Sequence, residues 1–210
     1  MRPSVTGKRF LLALALALPS GGRADVHEVS VPPAGTEKYR SADFRLWLPY
    51  QIKFVRAVIV RQHGCGRKGL DHADDVQWRA LAQKWDCALL GTHFQETKDC
   101  SDWCVPANGS ERAFLAALDA LAKKSGHPEL ASVPWALWGH SGGALWAVSL
   151  TNRHPDRVVA VFARSGAAGV TAEAARSVPV LFNYGAEEKT GRFARVHEGV
   201  MKVLDRKSVV

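Results

Sequence analysis

Short continuous apolar runs, separated by segments of helical period, constrain this chain more than any other feature. The runs are Val55–Val60 (VRAVIV), Cys87–Gly91 (CALLG), Pro134–Trp138 (PWALW), Val158–Ala163 (VVAVFA) and Val178–Tyr184 (VPVLFNY). A strand with one wet face alternates apolar and polar residues. A continuous run instead fits a strand of a parallel sheet covered on both faces. Between the runs, Trp78, Leu81, Ala82 and Trp85 recur at helical spacing, and so do Phe114, Leu118, Leu121 and Ala122. Asn108 followed by Glu111 reads as a capping box opening the second of these helices. A third helix is predicted over residues 142–153, stopping before His154-Pro155, and a fourth over residues 192–204. The order predicts an α/β fold, a parallel-rich sheet of about five core strands with helices on both faces. Val26–Val31 and Phe44–Leu48 are expected to add antiparallel edge strands. There is no internal repeat and no linker, so residues 25–210 read as a single domain.

Residues 1–24 read as a secretory signal peptide. Arg2, Lys8 and Arg9 form a basic start, Phe10–Leu18 an apolar run, and Gly22 to Ala24 a small-residue cleavage site. The run is far shorter than the roughly 20 apolar residues that cross a bilayer. The mature chain is therefore expected to be secreted or periplasmic, without a stable membrane anchor. Cleavage removes four basic residues and no acidic one, which lowers the formal charge from +8 to +4. With no basic block and no interleaving of basic and aromatic residues, nucleic acid is not an expected partner.

In a parallel sheet, ligands sit beyond the carboxyl ends of the strands. There the chain carries Gly139-His140-Ser141-Gly142-Gly143. This is a G-x-S-x-G pattern that follows a predicted strand and opens a predicted helix, the context its chemistry requires. Ser141 on a tight strand-to-helix turn would project its hydroxyl above the sheet as a nucleophile. The residues two before and two after must be small to let neighbouring backbone pass. After the first core strand comes His63-Gly64-Cys65-Gly66. A glycine turn at that place can aim the Cys65 N–H at a substrate oxygen, with the Gly142 N–H as its partner in an oxyanion hole.

On the GHSGG elbow, the HGCG turn and the order of strands around them, the chain resembles the α/β-hydrolase superfamily over roughly residues 43–205. Within it the chain looks most like secreted esterases of the polyhydroxybutyrate-depolymerase and feruloyl-esterase kind. The resemblance implies a serine carboxylic-ester hydrolase acting on a small-molecule or polymer ester through an acyl-enzyme, with no cofactor and no metal. It places the triad acid in Gly185-Ala186-Glu187-Glu188, at Glu188, with Glu187 as the alternative. The general base is expected to be a histidine after the acid. The only one there is His197, on a segment whose Phe193, Val196, Val200 and Leu204 make it look like an amphipathic helix. No strand-like run follows residue 184, so the last strand of the fold is expected to be missing. The competing reading is a C-terminally shortened or non-catalytic hydrolase-fold protein without a true catalytic histidine.

Export permits disulfides. Cys100 and Cys104 stand four apart in a loop-like stretch and are expected to pair, leaving Cys87 as a buried thiol. No histidine stands at ligand spacing beside the cysteines, so no zinc site is expected. His63 and His93 sit at strand ends and are expected to line the mouth of the site. Trp103 is a candidate stacking surface for substrate. Trp78, Trp85, Trp138 and Trp146 read as core.

Overall fold

The computed structural model describes residues 25–98, 101–166, 169–185 and 198. The predicted leader (1–24) and the predicted helix over 192–204, apart from residue 198, lie outside them. The strands are β1 (Asp25–Val31), β2 (Ser41–Leu48), β3 (Ala57–Gln62), β4 (Cys87–Gln95), β5 (Trp135–His140), β6 (Val158–Arg164) and β7 (Val180–Asn183). They form one sheet in the order β1-β2-β4-β3-β5-β6-β7. β1 and β2 are the expected antiparallel pair at the edge, and β2 runs antiparallel to β4. The remaining pairings are parallel. Among the described residues the sheet ends at β7.

The helices are α1 (Val76–Lys84), α2 (Ser101–Cys104), α3 (Ser110–Ser125) and α4 (Gly142–Arg153). Successive residues of the central strands feed opposite faces. Val58, Val60, Ala88 and Leu90 join the core under α3 and α4, whereas Ile59, Cys87 and Leu89 join the smaller cluster under α1. That two-sided burial explains why these runs lack polar alternation. On the larger side Phe114, Leu118 and Leu121 are buried, each contributing about 1.5–3 kcal/mol over leaving it exposed.

Several local expectations change. Asn108 does not cap α3. It ends a short 3-10 turn (Pro106–Asn108), its Nδ2 donates to the Asp102 carbonyl, and Gly109 at φ 113° is the N-cap residue. Glu111 instead accepts from Arg153 and from His154, so the helix start is tied to α4. On α1 only Ala82 is fully buried, while Leu81 and Trp85 are 42% and 53% exposed. α1 is capped by Asp75, whose Oδ1 accepts from Gln77 N at 3.0 Å and Trp78 N at 3.2 Å. The other oxygen of Asp75 bonds Arg61, whose guanidinium lies between Trp78 and Trp138 at 4.6 and 4.9 Å from the ring centroids. The cysteine pairing differs as well: Cys65 is disulfide-bonded, whereas Cys104 is a reduced thiol, 1% exposed. Cys104 ends α2 with its side chain in the core, packed among the buried residues under the sheet. Cys87 is a buried thiol as expected, and Cys100 lies outside the described residues.

Candidate functional site

β5 ends at His140 and α4 begins at Gly142, so Ser141 is the single residue between strand and helix. Its backbone sits at φ 52°, ψ −116°, a conformation that costs a residue with a side chain about 1–3 kcal/mol. Both main-chain groups are held. The N–H donates to Arg164 O at 2.8 Å, and the carbonyl accepts from Ala144 N at 3.0 Å and Leu145 N at 3.2 Å. No side-chain hydrogen bond caps the helix here, so the Ser141 hydroxyl is not spent on α4.

The glycines around Ser141 are sterically required. A Cβ on Gly139 would lie 2.2 Å from Gly143 O, and one on Gly143 would lie 2.4 Å from His63 O. A Cβ on Gly166, outside the motif, would lie 2.2 Å from Ser141 O. Contacts below 3 Å with backbone leave no room for a methyl, so β3, β5 and the end of β6 converge on the elbow.

The turn after β3 borders this point. A Cβ on Gly64 would lie 3.1 Å from His140 Nδ1 and 3.2 Å from Ser141 Cβ. Cys65, half-buried, follows directly. The peptide groups on both sides of Cys65 are restrained. His63 Nδ1 donates to Gly64 O, the carbonyl of the peptide whose N–H belongs to Cys65. Because a trans peptide is planar, fixing that oxygen fixes the direction of the Cys65 N–H. On the other side, Gly66 at φ 65° donates its N–H to Glu96 Oε1 at 2.7 Å. Gly142 is buried in the first turn of α4, where the helix dipole favours negative charge. Main-chain N–H groups from this turn and this helix start are the kind of donors that hold an oxyanion.

His63 and Trp103 are not on the mouth of the site. His63 is 1% exposed, and its Nε2 accepts from Phe94 N at 3.1 Å. Burial pushes its pKa down to about 4, against the opposing Gly64 bond and helped by the nearby His93. The ring is therefore a neutral strut. Trp103 is 0% exposed and stacks on Phe94 with centroids 5.7 Å apart and planes 17° apart. Both rings are buried and packed against each other with centroids 5.2 Å apart, so neither offers a face to substrate. His93 is half-buried at the end of β4, its Nδ1 3.2 Å from Arg67 O and its ring 5.2 Å from that of His63. Glu188 and His197 lie outside the described residues.

One residue that sequence reasoning missed is Glu96. Besides Gly66 N–H, its Oε1 accepts from Trp103 Nε1 at 3.3 Å. Burial works to raise its pKa, but the N–H donors, Gly66 foremost, outweigh it and hold the carboxyl below the usual carboxylate range. No local pattern marks such a residue, because its partners come from other elements. Among the described residues no group of three or more His, Cys, Asp or Glu could hold a metal ion. No described helix is long and apolar enough to cross a membrane.

No family model matches the chain, and no curated protein does. Solved structures do. A poly(3-hydroxybutyrate) depolymerase from Bordetella parapertussis superposes with a TM-score of 0.59 at 15% identity, covering 89% of this chain and 80% of that one. A ferulic acid esterase superposes with a TM-score of 0.61 at 15% identity, covering 90% and 88%. A bacterial esterase superposes with a TM-score of 0.53 at 14% identity, covering 99% and 86%. These likenesses establish the fold: the chain has the α/β-hydrolase fold.

Proposed function

We propose that this chain is a secreted serine hydrolase of carboxylic esters. The observation that carries the reading is the backbone of Ser141. It is held at φ 52° between β5 and α4 with its N–H and carbonyl both bonded elsewhere. Strain at that position persists only where surrounding structure supports it, and a raised, uncommitted hydroxyl is what the strain provides. The ester-cleaving neighbours of the same fold support the substrate class.

In this reading Ser141 Oγ attacks the ester carbonyl carbon as its proton passes to His197, oriented by Glu188. The carbonyl oxygen becomes an oxyanion held by the Cys65 and Gly142 N–H groups, each worth about 3 kcal/mol in the transition state. The C–O bond to the alcohol breaks, and the alcohol leaves with the proton from His197. Water then attacks the acyl-enzyme, its proton again passing through the base, and the carboxylic acid departs as Ser141 recovers its hydrogen. No metal or cofactor enters this sequence.

The test is hydrolysis of p-nitrophenyl acetate by the purified chain and by Ser141→Ala, with a fluorophosphonate probe alongside. The reading expects turnover and Ser141 labelling in the unmutated chain and neither in the variant. A folded chain that neither turns over nor labels would instead be a non-catalytic hydrolase-fold protein.

A further inference from the structure

We infer that Glu96 is a positioning residue for the turn that carries the Cys65 N–H, locking the Cys65–Gly66 peptide against the buried Trp103. The inference rests on the reading of Ser141 as nucleophile and of the Cys65 N–H as an oxyanion donor.

An oxyanion hole stabilises charge only if its donors are already aimed when charge develops. A donor on a glycine-flanked turn is poorly suited to this, because Gly64 and Gly66 add conformational freedom on both sides of Cys65. The turn therefore needs external restraint on each flanking peptide. The preceding peptide is held through its carbonyl by His63, as described above. The following peptide is held through its N–H by Glu96 at 2.7 Å. With both planes fixed, rotation about the Cys65 α-carbon is removed, and the Cys65 N–H keeps one direction.

Glu96 can do this because it is itself anchored. The same Oε1 that accepts from Gly66 accepts from the indole N–H of Trp103. Trp103 is clamped between the rings of His63 and Phe94. Its carbonyl accepts from Ser110 Oγ at 2.7 Å, and that hydroxyl accepts in turn from Trp146 Nε1 at 3.0 Å. Trp146 belongs to α4, the helix that starts at the Ser141 elbow. A line of hydrogen bonds thus runs from the helix behind the nucleophile, through the core, to the turn opposite it. It keeps the two sides of the site in register, where a misplacement of about 1 Å can cost on the order of 100-fold in rate.

The experiment compares Glu96→Ala and Glu96→Gln with the unmutated chain. The amide oxygen of Gln can accept the same two N–H bonds, so Glu96→Gln is expected to keep kcat within about threefold. Glu96→Ala is expected to lose roughly 10- to 100-fold in kcat with KM within about threefold, the pattern of a lost transition-state interaction. A tetrahedral inhibitor such as a trifluoromethyl ketone should weaken in Glu96→Ala by the same factor as kcat/KM, while a carboxylate product analogue binds unchanged. Unchanged kcat in Glu96→Ala would overturn the inference while leaving Ser141 as nucleophile. Equal losses in both variants, matched by equal falls in Tm, would also overturn it and make Glu96 a general stabiliser. An unmutated chain without turnover or fluorophosphonate labelling would overturn the underlying reading, and the inference with it.

Discussion

The α-carbon of Gly166 faces the carbonyl oxygen of Ser141 so closely that a methyl placed there would lie 2.2 Å from it. That oxygen also accepts the first two hydrogen bonds of α4, so it cannot move without unwinding the helix start. Gly166→Ala should therefore destabilise the fold by about 1–3 kcal/mol, a fall of several degrees in Tm for a chain of this size, and should displace Ser141. Gly169→Ala is the control, since among the described residues a Cβ there meets nothing nearer than Thr171 Cγ2 at 3.5 Å. Thermal melts and ester turnover of the two variants check this. Equal behaviour would mean that the elbow tolerates the methyl.

The buried neutral His63 predicts a specific acid sensitivity. Its folded pKa of about 4 lies below the unfolded value of about 6.5. Between those values the unfolded chain binds more protons, so folding weakens as pH falls. The contribution is intact above pH 6.5, declines through the interval and is gone below about pH 4. Between pH 7.5 and 4.5 it amounts to roughly 2–3 kcal/mol. Urea unfolding of the unmutated chain and of His63→Gln at both pH values should show the unmutated chain losing that much more than the variant. The same loss in both would place the sensitivity elsewhere.

The disulfide at Cys65 tethers the turn that borders Ser141. In denaturant without reductant, alkylation should label Cys87 and Cys104 and spare Cys65, with Cys65 labelled only after reduction. Reduction should lower folding stability by about 2–4 kcal/mol, and turnover should fall with it. Peptide mapping by mass spectrometry reads the first expectation directly, and a Cys65 alkylated before reduction would contradict it.

The parts of the fold legible in the sequence are those written in local chemistry. The span of α4 agrees residue for residue with the expectation, because the elbow motif fixes its start and His154-Pro155 its stop. Strand ends are less local. Val55 opens the apolar run, yet the strand starts at Ala57, because Val55 gives its N–H to Glu129 Oε1 instead of the ladder. β4 runs past Gly91 to Gln95 because β2 pairs with it along that extension. The inward turn of His63 and Trp103 and the role of Glu96 were not legible, since each depends on a partner in another element. Glu96 meets Gly66 across 30 residues of chain, and no periodicity encodes such a contact.

In the proposed mechanism Ser141 gives up its proton to a histidine. The histidine nearest in sequence, His140, precedes Ser141 on β5, and a Cβ on Gly64 would lie 3.1 Å from its Nδ1, which places its ring against the turn after β3. His63 is occupied at both ring nitrogens. His93, expected from its place at a strand end to line the site, has its Nδ1 3.2 Å from Arg67 O. The base in the proposed mechanism is His197, which lies outside the described residues. His197→Ala should lower kcat by about 10³-fold or more with the fold intact, whereas His93→Ala should change KM more than kcat. With His197 as base, kcat/KM should fall as pH drops and the imidazole is protonated. A His197→Ala chain that retains most of its turnover would assign the proton transfer to another group, and the pH profile of that variant would show its pKa.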